Sequence, residues 1–429
     1  MSDAVVWGNV DMGTQQQYFM RNANLSSVSC SNAKCSMNYV FLGVEGAPLE
    51  LDHGQVRFGW VCIPRFHFRA PLSWIGCLMQ ISVLDQTPQI ASKPFLVEKN
   101  GFWSITVPPK LSNSRGVVHV NNSPSIDLQD VYVARAGDTA ATINAGISKK
   151  AALLLTPAIY ELSEPIVIAQ TNFVVLGIGL PTLVATNGRA ALRIIAADVR
   201  VAGVLLEAGT DVSSSETDAL MIWEGADGVG SDIFSRVGAF NYSLPSKPSC
   251  RRTRADVHVE LRGDRISLDN TWFWHADHDD CNTGSDASLS KHGLVVRGAE
   301  TRVYGLFNEH MFDDLLQWYG EAGEVYLYQS ELPYHQTSFR GVGYHVDPNV
   351  TTHTCLGVGV YAITGVSNVV AIRLPSNATA RNMFAWHINA PEAESFSSIV
   401  CSGPDDSAKC YKTADCDYCD YSSCYKWLL

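Results

Sequence analysis

Arg302-Val-Tyr-Gly-Leu-Phe-Asn-Glu309 and, 22 residues later, Glu324-Val-Tyr-Leu-Tyr-Gln-Ser-Glu331 are two copies of one pattern. Each is a β-rich segment that ends in an acid. A period of this length, built from short strands, is what one coil of a parallel β-helix requires. Adjacent coils stack at the inter-strand spacing of about 4.8 Å. The repeat therefore predicts that Glu309 and Glu331 sit side by side on one face of a right-handed parallel β-helix. Two neighbouring carboxylates are the equipment for cleaving a glycosidic bond, one protonating the leaving oxygen and the other handling water or attacking carbon.

The same rhythm extends outward. Leu192-Arg-Ile-Ile and Val199-Arg-Val-Ala-Gly-Val, His258-Val-Glu-Leu and Arg265-Ile-Ser-Leu, and His292-Gly-Leu-Val-Val and Arg302-Val-Tyr-Gly-Leu are strand pairs linked by short Gly- or Asp-containing turns. Such residues allow the sharp corners a coil needs. Helical periodicity is scarce; Asp138 to Lys150 is the best candidate, capped by Thr139 or Asp138. Aligning the repeats on their Arg-Val or Arg-Ile starts places Glu207 and Trp272 in the column of Glu309 and Glu331. For Glu207 the expectation is an ordinary solvent-facing strand end. Phe307, Tyr328 and Tyr334 give the 309/331 pair an aromatic setting that favours a site.

Composition narrows the partners. The chain has 429 residues, 46% hydrophobic and 17% charged, with a net charge of −12. No basic run is present, so nucleic acid and membrane insertion are poor matches, while a neutral glycan is compatible. No apolar run is long enough to cross a bilayer. Twelve cysteines, five of them at Cys401, Cys410, Cys416, Cys419 and Cys424, and the close pair Cys30 and Cys35 favour disulfides over a zinc site. With Asn-x-Ser/Thr sequons at Asn24, Asn121, Asn241, Asn349 and Asn377, they point to a secreted glycoprotein. The N-terminus is not a signal peptide, which predicts a mature or incomplete chain.

Asn270-Thr-Trp-Phe-Trp-His-Ala-Asp-His-Asp-Asp280 is the other segment rich in chemistry. Trp272 and Trp274 share a face if the segment is a strand; Trp272 suits stacking on a sugar ring or a place in the core, and Trp274 suits the core. His275, Asp277, His278, Asp279 and Asp280 read as a polar loop leaving a strand. No metal and no cofactor are expected.

Ala136–Ala145, Val174–Val184, Val199–Leu205, Trp272–His278, Gly305–His310 and Tyr328–Tyr334 resemble, in that order, bacterial relatives of glycoside hydrolase family 55. Gln16-Gln-Tyr-Phe-Met-Arg-Asn22 resembles the Gln-Gln motif of that family's first domain. The resemblance implies a pectin-lyase-like fold with two β-helix domains flanking a cleft, and exo-acting, inverting β-1,3-glucanase activity without a cofactor. It implies Glu331 as general acid, Glu309 in the network around the attacking water, and Gln16 or Gln17 helping to hold that water. Trp272, Asp277, His278, His310 and Tyr334 complete the expected substrate and water contacts. The expected domains are 1–126, the C-terminal part of a first β-helix with its connection; 127–391, a complete second β-helix; and 392–429, a disulfide-stapled tail. Because the family's first domain starts well before its Gln-Gln motif, most of the first β-helix is expected to be absent. The alternative expectation is a non-catalytic extracellular scaffold that assembles through the cysteine tail.

Overall fold

The structure is a computed structural model that describes residues 1–11, 17–29, 38–48, 80–120, 123–215, 217–238, 252–277, 288–334, 338–363, 366, 369–387, 396–402 and 409–411. From Val131 onward the chain winds through two long ladders, one of 12 strands and one of 10. Within the first, Arg200–Ala208, Val229–Gly238, Ser267–Ala276, Arg302–Glu309, Gly323–Glu331, His353–Ala362 and Thr379–His387 pair successively and in parallel. From Arg200 on, each coil contributes one strand to each ladder, which is the parallel β-helix expected. Its core is continuous, from Ala134 through Trp223, Phe273, Trp318 and Tyr344 to Ala385. The helix Ala140–Ile147 closes the start of the coil, and Thr139 Oγ1 accepts the Thr142 N–H at 3.2 Å as its cap. Asp138 instead accepts the Arg135 N–H at 3.0 Å.

One device repeats through the long strands. Gly203, Asp232, Asn270, Gly305, Leu327, Gly357 and Asn382 all have positive φ and occupy one register position. Each strand therefore turns a corner there, and the outward side chains before and after it face different surroundings. Before the corner, Tyr304, Tyr326 and Leu356 pack against Val40, Leu42 and Ile90 of the N-terminal region. A Cβ on Gly357 would lie 2.6 Å from Val40, so the close approach itself requires glycine. After the corner, alternate residues face outward, ending at Glu309 and Glu331.

The N-terminal region is β-structure with its own small core of Met20, Ala23, Leu25, Tyr39, Phe41, Val44 and Ile81. Gln17–Arg21, Asn38–Leu42 and Gln80–Leu84 form a parallel three-stranded sheet. It is joined to the β-helix by polar contacts as well as packing. Arg21, nearly fully buried, forks onto Asp269 with Nη2 2.6 Å from Oδ2 and Nε 3.1 Å from Oδ1. Tyr304 O–H donates to the Gln89 carbonyl at 2.7 Å, and Asn38 donates to the Asn382 carbonyl at 2.9 Å. A desolvated bidentate pair of this kind fixes orientation, because breaking it strands a buried charge.

Two expectations need correction. Trp272 does not share the column of the glutamates: it stands opposite Phe307, and Trp274 stands opposite Glu309. Arg265, which resembles a strand start, is a corner residue with φ +55 whose guanidinium forks onto Asp227 at 2.8 and 2.9 Å. The strand proper begins at Ser267, two residues later, and this moves every side chain along by two. Glu207 does share the column, but it is not a solvent-facing strand end. It is 2% exposed and pairs with Arg236 at 2.8 Å.

Candidate active site

The outward column that ends the long strands reads Glu207, Arg236, Trp274, Glu309, Glu331, Tyr361, Trp386. Glu309 and Glu331 are direct partners in the parallel ladder. On one side stand two stacked indoles, Trp272 and Trp274, with ring centroids 5.6 Å apart and planes 19° from parallel. Trp272 is 41% exposed and its indole N–H favours the ionised form of the Glu309 carboxyl. On the other side Tyr361 packs edge-on against Phe384 and lies 6.1 Å from Trp386. The acid pair is thus walled by aromatics along the axis of the coil, a surface suited to the apolar faces of sugar rings.

The two carboxyls differ sharply in environment. Burial, and then the charge of Glu331, push Glu309 up to about 7; His310 and the Trp272 N–H offset only part of this. Burial also acts to raise Glu331, but hydrogen bonds from His310 and Tyr334, with the charge of His310, outweigh it. Glu331 is held below the ordinary carboxylate value. Its partners are His310 Nε2 at 3.3 Å, Tyr334 O–H at 2.5 Å and Gln329 Nε2 at 3.4 Å. Burial opposes a charge on His310 too, yet Asp277 and Glu331 lift it to about 9. At neutral pH His310 is therefore an imidazolium and Glu331 a carboxylate, while Glu309 is about half protonated.

Of the residues expected at the site, Glu309, Glu331, Trp272, Asp277, His310 and Tyr334 converge. Asp277 and His310 are each 2% exposed at the side chain and act behind Glu331. Gln17 reaches the β-helix just before Glu331, donating to the Tyr328 carbonyl at 3.2 Å and to Asn38 at 2.8 Å. Gln16 and His278 lie outside the described residues, as do Cys30, Cys35, Cys416, Cys419 and Cys424. Sequence reasoning gave Trp274 to the core and passed over Arg236, whose guanidinium lies 5.8 Å from the Trp274 ring while pairing with Glu207. The signal for Arg236 was the register itself, visible only once the corners are placed. Among the described residues no group of three His, Cys, Asp or Glu is arranged to hold a metal. His275, from the polar run, has both ring nitrogens on backbone carbonyls, at 2.8 and 2.7 Å.

Comparison with known proteins bears on the fold. Residues 131–331 match the model of the LAM55 pectate lyase-like domain. Those residues belong to that family. The match covers the β-helix from its first core strand to Glu331. An exo-beta-1,3-glucanase of Streptomyces sp. (strain SirexAA-E / ActE) is 30% identical over 390 residues, covering 86% of this chain. This chain spans 57% of that relative's length. The solved structure of sacteLam55A from Streptomyces sp. SirexAA-E superposes with TM-score 0.71 at 26% identity, over 94% of this chain and 68% of that one. A glutamate-to-alanine variant of it in complex with glucose gives TM-score 0.69 at 25% identity, over 94% and 67%. The resemblance to glycoside hydrolase family 55 stands, and with it the pectin-lyase-like parallel β-helix of the LAM55 domain.

Proposed function

We propose that this LAM55-domain protein is a secreted glycoside hydrolase that releases glucose from the end of β-1,3-glucan with inversion. In this reading Glu331 is the general acid, and Glu309 takes the proton of the attacking water. The observation that carries it is the in-register pair Glu309 and Glu331, two carboxyls of opposite electrostatic character between aromatic walls. The glucanase relative and the glucose complex of its kin support the substrate class.

The resting proton distribution supports the assignment of roles. An inverting cycle ends with the acid as carboxylate and the base protonated. The two environments favour that same distribution: Glu331 ionises first, and a proton held by the pair sits on Glu309. A sugar oxygen seated against Glu331 draws this proton across the pair, because the two carboxyls are neighbours and the incoming ring excludes water. Glu331 then protonates the departing oxygen as the bond from C1 to it breaks. Glu309, now a carboxylate, accepts a proton from the water that forms the new bond to C1. The pair returns to its starting state with one proton. Tyr334 and Gln329 hold Glu331 in place meanwhile.

The secreted, disulfide-bearing part of the proposal draws on the tail. The decisive experiment is incubation with laminarin and laminari-oligosaccharides, with the anomer of the first product read by proton NMR. α-Glucose is expected. Absence of any glucose from folded protein sinks the hydrolase reading, and β-glucose as first product sinks inversion.

A further inference from the structure

His310 is strained in order to stand where it does. Among the described residues at its register position, Ala208, Val237, His275, His310, Leu332 and Ala362, only His310 has positive φ, +70. A side chain in that conformation persists only when the surroundings over-determine it, and such residues cluster at working sites. Here both ends are pinned. The His310 N–H donates to the Glu331 carbonyl at 2.8 Å, and its own carbonyl accepts from Nδ1 of the fully buried His275 at 2.8 Å.

The strained backbone aims the imidazole beneath Glu331. Nδ1 lies 2.8 Å from Asp277 Oδ1, and Nε2 lies 3.3 Å from Glu331 Oε2. The ring packs on Tyr334, with centroids 4.1 Å apart. Tyr334 closes the circuit: its N–H donates to Asp277 Oδ2 at 3.2 Å, and its O–H donates to Glu331 at 2.5 Å. A nitrogen facing a carboxylate must carry a proton, and His310 has a carboxylate on each side, so it is an imidazolium. At 2% exposure its side chain cannot touch a substrate.

We propose that His310 and Asp277 are positioning residues: the buried imidazolium, held by Asp277, fixes Glu331 in one rotamer and keeps it the carboxylate of the resting pair. After each turnover the proton therefore stays on Glu309, ready to cross when the next sugar binds. This deepens the hydrolase reading and rests on it. Asp277 and Glu331 flank the ring, Tyr334 packs on it, Glu309 directly precedes it in the chain, and His275 stands behind its backbone. Loss of the cation acts on both carboxyls, because its charge favours ionisation of Glu331 and of Glu309.

The test compares His310→Gln and Asp277→Asn with wild type on laminari-oligosaccharides. Expected is a fall in kcat of about 10²-fold, the scale of a misplaced catalytic group, with KM nearly unchanged. Both limbs of the pH profile should move to higher pH, since each carboxyl loses a neighbouring positive charge. A fall at all pH values with both limbs in place overturns the proposal, because that is damage without electrostatic consequence. A direct readout on wild type uses ¹⁵N NMR of the imidazoles, which needs no variant to fold and no substrate. Both His310 nitrogens should be protonated at pH 7 to 8, and a neutral ring there overturns the proposal. Absent glucose release with an imidazolium ring would sink the hydrolase reading while leaving the clamp standing.

Discussion

Two glutamates in one column have opposite fates. Glu207 and Glu309 project from the same register position, three coils apart. The strand after Glu207 offers Arg236, and the two form a buried pair at 2.8 Å. The strand after Glu309 offers Glu331, a like charge that adds to the effect of burial, so Glu309 is pushed up to about 7 and keeps its proton well above the ordinary carboxylate range. Position on the coil makes neither residue functional. What decides is the residue one strand-spacing away, because at that distance opposite charges neutralise while like charges force one group to stay protonated. Glu207 with Arg236 is structure; Glu309 with Glu331 is a proton store.

The strongest way to break this contrast is to remove one acid at a time. Glu331→Gln should lower kcat on laminarin by about 10³-fold, within the range a general acid supplies. It should lose far less on an aryl glucoside whose leaving group needs no proton. Glu309→Gln should lose both activities, and azide should restore turnover by replacing the activated water as nucleophile. Equal losses on both substrates for Glu331→Gln would remove it from the acid role, and an active Glu309→Gln would remove the pair altogether.

The contrast is also thermodynamic. Glu309 has a folded value of about 7 against an ordinary 4.5, so the native state binds its proton more tightly than the unfolded chain. Its contribution is intact below pH 4.5 and is lost as pH rises through 7. Glu309→Gln, which never ionises, should therefore be more stable than wild type at pH 8 by about 3 kcal/mol, the value of a shift of this size, and unfold at a correspondingly higher temperature. The gap should close towards pH 4.5. A gap independent of pH would mean that Glu309 is not the strained carboxyl. Arg236→Met tests the other pair and should destabilise by about 2 kcal/mol, less than a wholly buried pair because the arginine is 19% exposed. Adding Glu207→Gln should recover part of that loss; strict additivity in the double variant would show that the two do not act as a pair.

The sequence made the 309/331 pair legible and the neighbouring tryptophans illegible for one physical reason. Strands Arg302–Glu309 and Gly323–Glu331 are joined by a tight 22-residue coil whose corners match, so identical patterns mean identical register. Other coils run to 29, 35 or 38 residues, and their extra length goes into turns. There a residue such as Arg265 imitates a strand start while its backbone is left-handed and its side chain serves Asp227. Asp277 and His310 were legible as polar residues near the acids, but not as a buried clamp. That depends on one positive φ at His310, in a residue type for which no pattern announces it.

The smallest effect sharpens the register most finely. The Trp272 indole N–H favours the ionised Glu309 carboxyl, whereas Trp274 is engaged by Arg236. Trp272→Phe keeps an aromatic wall but removes that donor. Glu309 should then hold its proton slightly more firmly, and the alkaline limb of activity should move a little to higher pH, with kcat at pH 6 nearly unchanged. The same change at Trp274 removes no donor from the carboxyl and should leave the limb where it is, so its effect should appear in KM as the Arg236 contact is altered. A limb that moves for Trp274→Phe and not for Trp272→Phe would show that Trp274, which stands opposite Glu309 in the ladder, and not Trp272 tunes that carboxyl.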